Sequence, residues 1–317
     1  MSDVAADSPQ RSSHRSGRRR RGGGESPKKP FLAAQMEWGA VTYLDDPTQP
    51  VDPDGVQAIH DASMRILEEI GILFLNDEAL DILKVAGCEV DYETKRVRMD
   101  RGFVMEAVDR APAQFTITPR NPDHEITIGG RHVNFGQVAS APNVMDLDRG
   151  RRVGNRADYQ DLLRLAQAYN CIHLNCGYPV EPIDIHASIR HLDAHYDMLT
   201  LTDKVIHAYS LGPERIEDVM EMARIAGGLT NEAFESRPHM FTNINSSSPL
   251  KHDWPMLDGA MRAARRGQVV IISPFTLAGA MAPVTIAGAV TQQNAEGLAG
   301  IASVSYTHLT LPTTDRV

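Results

Sequence analysis

Apolar residues recur at spacings of three to five through Val56, Ile59, Met64, Leu67, Ile70 and Leu73, the spacing of one buried helix face. Asp52-Pro53 adds a cap and a proline suited to the first helical position, so the pattern predicts a helix over 52–74. Shorter helical patterns follow over 77–86, closed by Gly87, and over 102–111, closed by Pro112. Alternating β-like pieces lie around them at 95–100, 114–119 and 124–135, with Gly129-Gly130 placed as a hairpin turn. Residues 36–150 thus read as a small α+β region.

The texture then changes. Four apolar runs, at 171–179, 204–211, 239–249 and 268–275, are separated by helical segments. Centred on Leu174, His207, Thr242 and Ile271, they stand 33, 35 and 29 residues apart. The segment from Pro213 begins with acids and ends in Gly227-Gly228, and that from Asp253 ends in basic residues and Gly267, as helices do. A strand–helix repeat of this length is the βα unit of an α/β fold. A doubly wound nucleotide fold would carry a glycine-rich turn after its first strand, and Asn175–Pro182 has no GxGxxG, so a (β/α)8 TIM barrel is the preferred reading. Eight units need roughly 250 residues. Residues 151–302 provide the first four to five, so the barrel is expected to be incomplete. The end of the chain, "SYTHLTLPTTDRV" over 305–317, offers neither helix nor return strand. It resembles translated sequencing-adapter DNA, and residues 303–317 are set apart as foreign.

Composition adds constraints. The chain has 317 residues, 42% hydrophobic and 23% charged, enough for a substantial core. The net charge of −9 hides an asymmetry: residues 1–30 hold eight Lys/Arg against three Asp/Glu, leaving 24 against 38 in the rest. Residues 1–35 read as a disordered basic tail, solubilising or RNA-contacting, on an acidic body unsuited to nucleic acid. Cys88, Cys171 and Cys176 form no CxxC pair and imply a reducing compartment. There is no apolar run of about 20 residues and no secretory h-region, so no membrane partner and a cytoplasmic location are expected.

In a barrel the chemistry sits at the C-terminal ends of the strands. That rule selects Asn175, Gly177 and Tyr178, then Tyr209 and Ser210, then Asn243, Asn245 and Ser246–Ser248, then Ser273, Pro274 and Thr276. The set is uncharged and suits a small ligand held by shape, cation–π contact and hydrogen bonds, not a metal or a phosphate. Each residue type is also a good loop former. His191 and His195 stand at i, i+4 without an HExxH, and read with His186 as surface histidines; no metal site is expected. Gln292, Gln293 and Glu296 interrupt an otherwise apolar helix, as a solvated face, a partner surface or a polar rim.

The stretches Arg65–Asp91, Tyr169–Pro182, Thr242–Asp253 and Val269–Ile301 together resemble the trimethylamine methyltransferase family, from about residue 37 to 302. The resemblance implies a barrel behind an N-terminal helical region. It implies transfer of a methyl group from a tertiary or quaternary methylamine, of trimethylamine or glycine betaine type, to the Co(I) of a separate corrinoid protein. No cofactor would be bound by this chain, since the methylcobalamin-type corrinoid belongs to that partner; a homo-oligomer is expected at full length. Asn175, Tyr178, Tyr209, Asn243, Asn245, Ser247 and Ser273 would face the amine, and Gln292, Gln293 and Glu296 the partner. No catalytic residue is assigned. Trimethylamine enzymes of this family carry pyrrolysine in the C-terminal half of the barrel, beyond this chain; the acidic body and Arg-rich tail favour the pyrrolysine-free kind. With half the barrel absent, open sheet edges should aggregate and the chain as written should be inactive. A barrel hydrolase or lyase, and an RNA-binding module, are the competing readings.

Overall fold

A computed structural model of the chain describes residues 34–39 and 41–309. The basic tail up to residue 33 and the segment from residue 310 lie outside the described residues.

The chain opens on β1 (Val41–Thr42) and α1 (Pro53–Arg65). Asp52 caps α1 by accepting the Gly55 N–H at 2.7 Å, as the sequence suggests. The helix widens into a π turn over Ile66–Ile70 and stops at Gly71, short of the predicted residue 74. Gly71 has φ 78°, and a β-carbon there would sit 2.5 Å from the Val97 carbonyl oxygen. The helical spacing of Leu73 is therefore coincidental, because the next residues form β2 (Ile72–Phe74). After α2 (Asp77–Val85) come β3 (Glu89–Asp91), β4 (Arg96–Arg98) and α3 (Arg101–Asp109), with β2 and β3 both antiparallel to β4. β5 (Gln114–Ile117) pairs with β6 (Ile126–Gly129), and β7 (His132–Val133) pairs with β1. The Gly129-Gly130 turn therefore joins two strands that pair elsewhere; both glycines have positive φ, which redirects the chain without closing a hairpin. β8 (Asn143–Asp146) and β9 (Gly150–Val153) form a hairpin before α4 (Arg156–Ala168).

The repeat follows: α5 (Arg190–Leu201), β10 (Ile206–Tyr209), α6 (Pro213–Ala226), α7 (Asn231–Glu235), β11 (Met240–Ile244), β12 (Lys251–His252), α8 (Trp254–Arg265), β13 (Val269–Ile272) and α9 (Ile286–Leu309). β10, β11 and β13 lie side by side in that order, all parallel. The first apolar run contributes only isolated parallel bridges at Leu174, to Val205 on one side and Gly136 on the other, in place of a strand. Gly177 at φ 133° and Pro179 end its extended backbone before a ladder can grow. The architecture is mixed α/β, and the described residues form no closed barrel.

Strand alternation divides this sheet. Ile206, Ala208 and Met240 pack outward on Ile216, Val219 and Met220 of α6. Leu174, Val205 and Phe241 face the other way, onto Ile117 and Ile126 of the β5–β6 pair. A third core joins Met64, Leu67, Leu80 and Leu83 to Leu257 of α8 and to Ala295, Leu298 and Ala302 of α9. β12 also pairs in parallel with β2. The regions on either side of residue 150 are thus packed together. Helix α9 continues to Leu309, through a segment whose sequence pattern predicts no helix: Ser303 and Thr307 are buried, and Tyr306 stacks on Phe103 at 4.5 Å. Thr307 Oγ1 donates to the Ser303 carbonyl at 2.8 Å and Ser305 Oγ to the Ala107 carbonyl at 3.2 Å. No helix among the described residues is long and apolar enough to cross a membrane.

Candidate functional site

His207 and Tyr209 on β10 and Asn243 on β11 occupy the sheet face opposite the helices, towards the C-terminal ends of the strands. The segment 137–140 lies against them. Tyr209 Oη shares a hydrogen bond with Ser140 Oγ at 2.8 Å and accepts the Tyr178 N–H at 3.0 Å. The Tyr178 and Tyr209 rings meet edge to face with centroids 4.8 Å apart. Gln137 reaches the same corner, donating to the Gly177 carbonyl at 3.2 Å. Gly177 matters here because a β-carbon on it would lie 2.4 Å from Tyr209 Oη. Gly177→Ala is therefore expected to displace the Tyr209 hydroxyl and lower stability by about 2 kcal/mol or more. Denaturant unfolding would check it, and an unchanged midpoint would count against this packing.

His207 is 3% exposed, with Phe241 5.1 Å and Tyr209 4.7 Å from its ring. Its Nε2 accepts the Asn243 N–H at 3.2 Å, which assigns the ring proton to Nδ1. Burial drives its pKa down to about 3, with His195 nearby acting in the same direction, so the ring is neutral. Its Nδ1 is buried without a partner among the described residues, as are Asn243 Oδ1 and Gln137 Oε1. Unpaired buried polar atoms are rare and costly, and a group of them on one face marks a place built to meet something else. Asn245 closes the row, its Nδ2 donating to the Ser273 carbonyl at 2.7 Å.

The structure thus gathers Tyr209, Asn243, Asn245 and Ser273 along one rim, while Tyr178 joins it through its backbone N–H and turns its ring into the helix-side core. Asn175 does not join them. It is fully buried, and its amide donates to Thr202 Oγ1 and to the Val205 carbonyl, both at 3.3 Å. One step along an extended chain turns a side chain to the opposite face, and Leu174 holds the inward position. Ser247 serves its own loop, its N–H donating to the Lys251 carbonyl at 2.7 Å and its Oγ lying 3.4 Å from Asp253. The flanking serines turn the other way. Ser246 Oγ and Ser248 Oγ both donate to Glu296 Oε2, the latter at 2.5 Å, while Oε1 accepts the Leu250 N–H and the Gln292 amide, each at 2.8 Å. Glu296 is fully buried and Gln292 nearly so; of the three polar α9 residues only Gln293 is exposed. Glu296 and Gln292 therefore hold the serine loop from beneath and present no surface to a partner.

Two contributors lack any sequence signal: Gln137 and Ser140 sit in a segment without periodicity. His207 is visible in the sequence, but whether it points inward depends on the phase of β10.

The sequence profile of the trimethylamine methyltransferase family matches residues 14–314. A glycine betaine methyltransferase of Desulfitobacterium hafniense (strain Y51) is 40% identical over 248 residues, 78% of this chain and 51% of that protein. A trimethylamine methyltransferase of D. hafniense (strain DSM 10664 / DCB-2) is 28% identical over 246 residues, 77% of this chain and 49% of the relative. A proline betaine:corrinoid methyltransferase of Eubacterium limosum is 27% identical over 252 residues, 78% and 51% of the two chains. The chain spans about half the length of the curated relatives it matches.

Proposed function

Because this chain belongs to the trimethylamine methyltransferase family, we propose that its inward sheet face is one side of a site that holds a methylated amine while a methyl group leaves it. The observation that carries this reading is a neutral imidazole and an unpaired amide oxygen beside a tyrosine ring, on His207, Asn243 and Tyr209. A quaternary ammonium has no N–H to donate and a diffuse charge, so aromatic faces and oxygen dipoles hold it. Tyr209 offers the face and Asn243 Oδ1 the dipole. An imidazolium at position 207 would repel the ligand, and burial prevents it from forming.

A quaternary betaine fits better than trimethylamine. When its C–N bond breaks, the electron pair stays on a neutral tertiary amine that needs no proton to depart. Trimethylamine must first be activated, and His207, Tyr209 and Asn243 include no strong acid. A corrinoid carried by a partner protein, in the cytoplasm, supplies the Co(I) nucleophile that takes the methyl group. The three parallel strands and the Leu174 bridge make up four consecutive positions of a (β/α)8 barrel, completed by the C-terminal half found in the longer relatives.

The test is methyl transfer from glycine betaine to a Co(I) corrinoid, followed by corrinoid absorbance and dimethylglycine release. The chain alone is expected to give no turnover. Residues 37–302 fused to the C-terminal half of the D. hafniense glycine betaine methyltransferase should turn over, and Asn243→Ala should cut kcat/KM about tenfold or more. A folded fusion that is inactive on betaines but active on trimethylamine would overturn the substrate assignment. Activity indifferent to position 243 would overturn the site.

A further inference from the structure

We propose that a second cavity, set between the start of α5 and the start of α6, binds a small organic carboxylate. It has a volume of about 320 Å³, and its wall includes Tyr178, Glu181, Arg190, His191, Leu211 and Arg215. It lies behind the tyrosine pair, in the helix layer, and does not rest on the methyl-transfer reading.

The donors and acceptors of this wall do not balance. Arg190 is committed: its Nε and Nη2 donate to the Ile185 carbonyl at 3.2 and 3.1 Å, and its Nη1 lies 3.7 Å from Glu181. Glu181 is thereby the partner of Arg190. His191 turns Nε2 to Asp218 at 2.8 Å, while its Nδ1 is buried with no partner among the described residues. Arg215 is half-buried and has no hydrogen-bond or ion-pair partner among the described residues. The Tyr178 hydroxyl likewise has no acceptor among them. A free guanidinium and a free phenol facing one cavity call for a ligand that only accepts hydrogen bonds and carries negative charge. Leu211 and Val219 leave room for a short apolar body beside that charge. A carboxylate on a small carbon skeleton has this chemistry; an inorganic oxyanion has the charge without the body.

Saturation-transfer NMR of the full chain, which tolerates self-association, tests the assignment with acetate, propionate and butyrate. Inorganic phosphate and tetramethylammonium serve as comparisons. Binding should strengthen with chain length among the carboxylates and be absent for tetramethylammonium. Arg215→Gln should weaken it roughly tenfold, with Arg215→Lys recovering part of the loss. Glu181→Gln should strengthen it, because a like charge is removed and Arg190 is released. Arg215 supports no other side chain, so an unchanged unfolding midpoint should accompany its replacement. Equal or tighter binding of phosphate, indifference to Arg215, or weakening by Glu181→Gln would each overturn the proposal.

Discussion

Glu296→Ala is expected to lower the thermal unfolding midpoint by about 10 °C, among the largest effects of any single substitution away from the apolar cores. The carboxyl group lies at 0% exposure and accepts from two serine hydroxyls, one backbone N–H and one amide. Alanine strands the Leu250 N–H and one N–H of the Gln292 amide, whose other bond goes to the Met281 carbonyl, and leaves the buried Ser246 and Ser248 hydroxyls with only each other at 3.1 Å. A stranded buried donor costs about 1–3 kcal/mol, so a total near 4 kcal/mol is reasonable after local relaxation. At about 2–4 °C per kcal/mol for a chain of this size, the midpoint moves by about 10 °C. Glu296→Gln retains one acceptor oxygen but turns an amide N–H₂ towards two hydroxyls, and should fall between wild type and alanine. Calorimetry or circular dichroism reads both variants; a shift below about 2 °C for alanine would mean that the serine loop is held by something else.

Acid should destabilise the fold well above the range where ordinary carboxylates titrate. In the unfolded chain His207 takes up a proton near 6.5, whereas burial delays this in the folded chain to about 3. Between those values the unfolded state holds more protons, so the contribution is complete above pH 6.5 and is lost as the pH falls through the window. By pH 4.5 the loss from this residue alone is about 2–3 kcal/mol. His195 and His252 are lowered by burial too and add in the same direction, while Glu181, raised by burial, opposes them. Urea unfolding at pH 7.5, 6.5, 5.5 and 4.5 measures the slope. His207→Gln keeps an acceptor for the Asn243 N–H but does not titrate, and should reduce the slope by about one proton. An identical slope in the variant would show that His207 already binds its proton in the folded state.

Local chemistry made much of the fold legible. The Asp52 cap, the proline starts of α1 and α6 and the four apolar runs all follow from side-chain rules within a few residues. The runs' order also survives, as parallel neighbours β10, β11 and β13. What stayed hidden depends on distant partners. Asn175 and Leu174 belong to one apolar run, and only Val205 and Thr202 across the sheet decide which of them turns inward. Ser246, Ser247 and Ser248 are identical in sequence terms, and a carboxyl group about 50 residues away separates their roles. Gln137 and Ser140 reach the candidate site through a segment whose irregular backbone carries no period, with Ser140 at φ 59°.

The core shared by α1, α2 and α9 sets a schedule for synthesis. Met64, Leu67, Leu80 and Leu83 complete their packing on Ala295, Leu298 and Ala302, which are made more than two hundred residues later. At roughly 5–20 residues per second, the apolar faces of α1 and α2 wait on the order of tens of seconds outside the ribosome before α9 emerges to cover them. The first helices made are among the last elements to find their final neighbours, so nascent chains of this protein present these apolar helical faces to chaperones early and for the whole of that interval.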